Sequence, residues 1–320
     1  MNNCFKPAWW LPNPHLQTLW ASLVRRKIQI PIRSERLELP DGDFLDLSWV
    51  GSDVGSIVIV LHGLNGNIHS SYVRGILQAI KQQGWRGVLM HFRGCSGPPN
   101  RLARSYHAGD TSDLKYVIAE LIKREPKTPL YAIGYSLGGN VLLKWLGESG
   151  INNPLRAAAA ISIPFEVGKT SDYLNTGFSR LYQWKLLHEL LKSHRRKFKK
   201  MTPHHDKQTK KIQNIREFDD AITAPLHGFK NSEDYYTQSS SRQYLANIKI
   251  PTLVLHALDD PFTPLNAIPN ALEVSSAVTL ELTHQGGHVG FVAGKYPWSP
   301  TYWSEEKIVR YIESQEDSRE

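Results

Sequence analysis

The sequence predicts a doubly wound α/β domain: a mostly parallel sheet with helices on both faces and a helical lid inserted between two strands. Three observations lead there. Short apolar runs rich in β-branched residues, such as Ser56–Leu61 (SIVIVL), recur along the chain and suit strands buried on both faces. Segments with apolar residues at helical spacing alternate with them, the pattern of a parallel sheet covered by helices. The alternation lapses over about 164–247 and then resumes.

Residues 1–30 form an aromatic, proline-rich arm (Trp9, Trp10, Trp20, Pro7, Pro12, Pro14). It is too apolar for a tail, so it should pack on the domain or on another surface. Arg36–Leu39 and Phe44–Val50 read as strands around a Pro-Asp-Gly turn, a hairpin signal. Ser71–Gln83 places Val73, Ile76, Leu77 and Ile80 on one helical face. The strand Gly87–Phe92, the helix Asp110–Lys123, the strand Leu130–Gly134, the helix Leu137–Leu146 and the strand Ala157–Ile163 follow. Beyond the insertion come the strand Thr252–His256, a helix around Leu265–Leu272, the strand Val278–Leu282 and a closing helix near Tyr302–Ser314. Residues 1–320 read as one domain, with the insertion at 164–247 as its lid.

Composition narrows the class. A chain of 320 residues that is 41% hydrophobic can bury a sizeable core. Its 21% charged and 10% aromatic residues exclude bulk disorder. The net charge of +8 favours anionic partners and says nothing about fold. Two widely spaced cysteines, Cys4 and Cys95, do not make a disulfide framework, which points to a reducing compartment. The start of the chain lacks a signal-peptide pattern, and no run of about 18 apolar residues is present. The expected location is cytoplasmic, with peripheral membrane association as its variant.

The chemistry concentrates in four places. Gly134-Tyr135-Ser136-Leu137-Gly138 is a G-x-S-x-G motif between a strand and a helix, the setting of a nucleophile elbow. The turn strains the serine backbone, flanking glycines remove colliding side chains, and Oγ sits at a helix N-terminus that favours negative charge. A serine nucleophile needs a base. Of thirteen histidines, His288 lies in the glycine-rich loop Gln285–Gly290 after the last predicted sheet strand, where the chain order nucleophile, acid, base puts it. His284 is its rival, but the strand end fixes its direction. The acid should follow TLVLH, where Leu258-Asp259-Asp260-Pro261 stands. Both aspartates are candidates. Asp260 is favoured because a residue before proline is held extended, leaving Asp259 as a turn or capping carboxylate. The expected oxyanion donors are the amides of Leu137 and Leu64, the latter in His62-Gly63-Leu64. His62 is read as buttressing that loop.

Further segments make a resemblance specific. They are Trp9-Trp10-Leu11-Pro12-Asn13-Pro14-His15-Leu16-Gln17-Thr18, His62–Leu64, Phe92-Arg93-Gly94-Cys95-Ser96-Gly97, Tyr106–Thr111, Gly134–Asn140, Ala257–Phe262 and Gly286–Phe291. With these, spread over nearly the whole chain in order, the sequence resembles the YheT-like branch of the α/β-hydrolases, a group of esterases with membrane-associated lipid hydrolases among its animal relatives. The resemblance implies an α/β-hydrolase fold and a triad of Ser136, Asp260 and His288.

The other signals take plainer readings. Phe92–Gly97 should shape the rim beside the nucleophile, with Cys95 a small buried thiol. Asp110 and Asp113 open a helix and should serve it as cap and dipole partner. His204-His205-Asp206 is too local to hold a metal by itself. The basic run His194–Lys200 (HRRKFKK) reads as the solvated end of an amphipathic lid helix bearing Leu186, Leu187, Leu190 and Leu191, or as a patch drawn to anionic membrane. Nucleic-acid binding lacks a module to support it. The expected function is hydrolysis of apolar or lipid-like esters through an acyl-enzyme, with no cofactor or metal. Thioester or amide hydrolysis, acyl transfer and a non-catalytic binding role are the alternatives.

Overall fold

The computed structural model describes residues 4–25, 28–198 and 211–317. Strand β3 (Ile57–Leu61) carries a β-branched or leucine side chain at every position and buries them all, which requires cover on both faces. Its sheet contains β1 (Arg33–Glu38), β2 (Phe44–Val50), β4 (Arg86–Met90), β5 (Leu130–Tyr135), β6 (Ala157–Ile161), β7 (Thr252–Ala257) and β8 (Val278–Thr283). The order is β1-β2-β4-β3-β5-β6-β7-β8. β2 pairs antiparallel with β1 and β4, and the remaining pairs are parallel. The chain is an α/β-hydrolase fold.

Helices α2 (Ser71–Gln82), α3 (Ser112–Arg124) and α4 (Leu137–Ser149) connect the strands. α2 buries Val73, Ile76, Leu77 and Ile80, the face its spacing predicts. The four alanines that open β6, all fully buried, leave room for helices to approach closely. Between β6 and β7 lies the insertion, with α5 (Val167–Tyr173), α6 (Ser179–Phe198) and the shorter helices Ile215–Phe218 and Ser232–Ser239. The arm is ordered too: α1 (Pro14–Leu23) starts with Asn13 as cap and Pro14 as first residue, the positions both favour. A hairpin of β9 (Val292–Tyr296) and β10 (Ser299–Tyr302) precedes the closing helix Trp303–Asp317.

Some expectations need correction. No helix spans Leu265–Leu272. A single turn, Leu265–Ala267, forms after Pro264, and Ile268, which precedes Pro269, is extended at φ −80°, ψ 129°. Asp113 lies in the first turn of α3, where the dipole favours a carboxylate, but neither it nor Asp110 caps the helix, whose cap position belongs to Thr111. Asp113 instead takes two N–H groups of the buried Arg93, each at 2.7 Å, and Asp110 pairs with Arg104 at 2.8 Å. The basic run is not uniformly solvated. Arg195 and Arg196 are exposed, but Lys197 is buried. Its Nζ donates to the Arg104 carbonyl and, at 3.3 Å, to Ser105 Oγ, and burial lowers its pKa to about 8. Lys199, Lys200 and His204-His205-Asp206 lie outside the described residues. Among the described residues no helix is long and apolar enough to cross a membrane.

Gly147 shows how tightly α4 is packed. A Cβ there would fall 2.3 Å from the Tyr244 carbonyl oxygen. Gly147→Ala improves helix propensity by about 1 kcal/mol, yet overpacking should cost about 1–3 kcal/mol. Urea denaturation should show a net loss. A net gain would mean that the Tyr244 segment yields without cost.

Candidate active site

β3 and β5 are neighbours, and the chain leaves them toward opposite sides of the sheet. At such a switch point the carboxyl ends of the strands open a crevice. The loop after β3 brings His62–Gly66 there and the turn after β5 brings Ser136.

Ser136 is held at φ 50°, ψ −120°, a conformation that costs a non-glycine residue roughly 1–3 kcal/mol. Its N–H donates to the Ile161 carbonyl at 2.9 Å, which anchors the turn to β6. The flanking glycines are needed for space. A Cβ on Gly134 would meet Gly138 O at 2.6 Å, and one on Gly138 would meet His62 O at 2.5 Å. Asn65, Ser162, Val289 and Phe291 are the other left-handed non-glycine residues among the described residues. Asn65 follows Leu64, Val289 follows His288, and the Val289 N–H donates to Ser162 Oγ at 2.9 Å. Backbone strain therefore gathers around one crevice.

The sequence-predicted residues meet in this crevice. His288 Nε2 lies 3.0 Å from Ser136 Oγ and its Nδ1 2.8 Å from Asp260 Oδ2. A carboxylate accepts, so Nδ1 carries the proton and the Nε2 lone pair faces the serine hydroxyl. Asp260 is fully buried, which alone would raise its pKa. The adjacent His288, its hydrogen bond, His256 and the Phe262 N–H hold the carboxyl below its usual value. Asp259 takes a different part. It accepts the Gly287 N–H at 2.9 Å and so ties the histidine loop, and burial raises its pKa. His284 is exposed at the end of β8.

His62 is buried between two backbone partners. Its Nε2 accepts from the Phe92 N–H at 3.1 Å, and its Nδ1 faces the Gly63 carbonyl at 2.7 Å. Burial lowers its pKa to about 3, so it stays neutral and braces the loop carrying Leu64. Leu64 and Leu137 both line the cavity beside Ser136. As the first residue of α4, Leu137 has an N–H with no intrahelical acceptor. Cys95 is partly buried, and burial pushes its thiol up to about 12, which disfavours the thiolate.

Sequence reasoning missed three residues here. His256 accepts the Ile163 N–H at Nδ1 (3.1 Å), which puts its own proton on Nε2, 3.9 Å from Asp260 Oδ2. Its signal was its place at the end of TLVLH, four residues before Asp260. Phe262 stacks flat on the His288 ring at 3.9 Å, and only its nearness to the acid hinted at this. Ser162 gave no signal, because its backbone conformation is what equips it.

A cavity of about 350 Å³ opens beside Ser136. The insertion lines it with an apolar stretch, Leu174, Leu186, Leu190, Ile215, Phe218 and Ile222, and with a basic edge at His194, Arg196, Lys197 and His227. The predicted stripe on α6 thus faces inward at Leu186 and Leu190, while Leu187 is buried. One acid interrupts the apolar stretch. Asp219 accepts from Thr223 Oγ1 at 2.7 Å and Tyr236 Oη at 2.8 Å, yet burial raises its pKa to about 6.

Comparisons with known proteins agree with the fold. The family profile described as alpha/beta hydrolase fold matches residues 56–294. The chain is 41% identical to the Escherichia coli protein named "Putative esterase YheT", over 96% of this chain and 92% of that one. It is 32% identical to the mouse protein named phospholipase ABHD3, over 93% of this chain and 75% of the other. Among solved structures, the Pyrococcus furiosus esterase Pf2001 superposes with a TM-score of 0.59 at 17% identity, covering 89% of this chain and 93% of that one.

Two expectations follow. Asp260→Asn should lower kcat far more than Asp259→Asn, because an amide cannot stabilise an imidazolium and favours the wrong tautomer, a loss of order 10⁴-fold in a well-studied protease triad. A larger loss from Asp259→Asn in steady-state assays would reverse these roles. Asp219 should leave a mark on stability. Unfolded, its carboxyl ionises near pH 4; folded, it keeps its proton up to about 6. Between those values the folded state binds more protons, so this contribution to stability falls as pH rises and is flat above about 6. Urea midpoints from pH 4 to 7 should show this slope in the wild type relative to Asp219→Asn; parallel curves would contradict it.

Proposed function

The chain belongs to the α/β-hydrolase family, in its YheT-like branch, and from this we propose that it is a serine hydrolase that cleaves carboxylic esters with apolar acyl chains through an acyl-enzyme. The observation that carries the reading is the hydrogen-bonded series Ser136–His288–Asp260 at the edge of an apolar cavity.

In this mechanism Ser136 Oγ attacks the ester carbonyl carbon as His288 Nε2 takes the hydroxyl proton. The carbonyl oxygen gains the negative charge, and the N–H groups of Leu137 and Leu64 receive it. Donors fixed before the reaction need no reorganisation as that charge develops. Asp260 keeps the proton on Nδ1 and stabilises the imidazolium. His288 then protonates the leaving alcohol as the tetrahedral adduct collapses to acyl-Ser136. Water, deprotonated by the same nitrogen, attacks the acyl carbonyl; as this second adduct collapses, the bond to Oγ breaks, His288 returns the proton to Ser136 and the acid leaves. Every step uses side chains and backbone of this chain.

The apolar part of the lid wall supplies the preference for apolar acyl groups. A methylene moved from water into such a wall gains about 0.8 kcal/mol, up to about fourfold in kcat/KM per carbon until the cavity is filled. The esterase relatives support ester chemistry. The phospholipase relative supports a lipid-like substrate, and the exposed Arg195 and Arg196 support weak attraction to anionic membrane.

A fluorophosphonate probe should label the wild-type protein on Ser136, and Ser136→Ala should lose both labelling and activity on activated esters while keeping its Tm. A panel of p-nitrophenyl esters should show kcat/KM rising with acyl length to a plateau. Esterase activity that survives Ser136→Ala would refute the mechanism, and a flat panel would refute the apolar preference.

A further inference from the structure

The family profile begins at residue 56, yet the loop that carries His288 is held by residues far upstream. Thr18 Oγ1 accepts the His288 N–H at 2.9 Å while donating to the Pro14 carbonyl at 2.7 Å. Gln17 is 1% exposed and grips the first residue of β9, just beyond the loop, at both its N–H and its carbonyl. Its Oε1 accepts the Val292 N–H at 2.7 Å, and its Nε2 donates to the Val292 carbonyl at 3.0 Å. The Ala8 N–H donates to that same carbonyl at 3.0 Å. The indoles of Trp9 and Trp10 donate to the carbonyls of Lys295 and Gly294.

The loop is shaped to receive this arm. A Cβ on Gly287 would fall 2.5 Å from the Pro14 carbonyl oxygen, and one on Gly290 would fall 2.5 Å from that of Gln17. Between these glycines, Val289 at φ 57° and, just beyond, Phe291 at φ 44° are left-handed, conformations that persist only where the surroundings over-determine them. The arm also reaches the histidine ring indirectly. His15 Nδ1 lies 3.2 Å from Tyr182 Oη on α6, the Tyr182 ring packs on Phe262 at 5.0 Å, and Phe262 stacks on His288 at 3.9 Å.

We propose that residues 8–18 are part of the working active site, with Thr18 and Gln17 as positioning residues that hold the His288 loop in register with Ser136. The inference rests on the serine-hydrolase reading above. The alternative is an arm that only adds stability. The two differ in what each folded molecule can do. Loss of the Thr18 acceptor frees the N–H of His288 itself, so the defect should fall on kcat of the folded enzyme. A missing hydrogen bond at a site that needs near-attack geometry should cost on the order of tenfold.

The experiment compares wild type, Thr18→Val, Thr18→Ala and Thr18→Ser in the full chain. Rates on a p-nitrophenyl ester are divided by the number of sites titrated with a fluorophosphonate, so unfolded molecules drop out. Thr18→Val and Thr18→Ala should lose about tenfold in kcat with little change in KM, and Thr18→Ser, which keeps the hydroxyl, should stay within about twofold of wild type. Thr18→Ala covers the case in which valine prevents folding. Per-site kcat equal to wild type in Thr18→Val or Thr18→Ala, with only Tm lowered, overturns the proposal. So does a change confined to KM, which would mean that Thr18 acts only as part of the cavity wall it lines. A wild type that neither reacts with the probe nor turns over ester would overturn the serine-hydrolase reading, and this inference with it.

Discussion

The site depends on one strained residue. Ser136 sits at φ 50° at the point where β5 becomes α4, and the hydroxyl faces the crevice only because the chain turns that sharply. The strain is local, roughly 1–3 kcal/mol, and the restraint is the sheet. β5 is buried along its whole length between β3 and β6, and the serine N–H is bonded to β6. Relaxing the turn would mean moving a strand in the middle of a packed core. The same logic explains Gly134 and Gly138, where a methyl group would collide with backbone within 2.6 Å.

Around that fixed serine, burial and charge pull in opposite directions, and the balance differs at each group. Desolvation keeps His62 and His256 neutral, lowering them to about 3 and about 4, so neither competes for a proton. The same desolvation acts on Asp260, but two histidines and a backbone N–H outweigh it and the carboxyl stays charged. Asp259 and Asp219 lack such compensation and shift upward. Neighbouring carboxyls in one loop thus differ because only Asp260 faces the imidazoles.

The sheet and the meeting of Ser136, Asp260 and His288 were legible because local pattern determines them: β-branched runs give buried strands, and glycine spacing marks the two turns. The misses share a different cause. The Leu265–Leu272 segment has helical spacing, but Pro264 and Pro269 override it. α1 carried a cap and an initial proline, yet aromatic residues masked it. The β9–β10 hairpin hides in a sequence with Gly294, Pro297 and Pro300, and is held by the arm rather than by its own propensity. The partners of Asp113 and Lys197, and the contacts of Thr18 and Ser162, join segments distant in the sequence. Residue type and spacing carry no trace of those.

The central claim is that Ser136 becomes acylated, and intact-protein mass spectrometry during turnover of a slowly deacylating ester tests it most directly. The account predicts a transient mass increase equal to the acyl group, localised by peptide mapping to the fragment containing Ser136 and absent from Ser136→Ala. Steady ester turnover with no adduct, or an adduct on another residue that persists in Ser136→Ala, would contradict it.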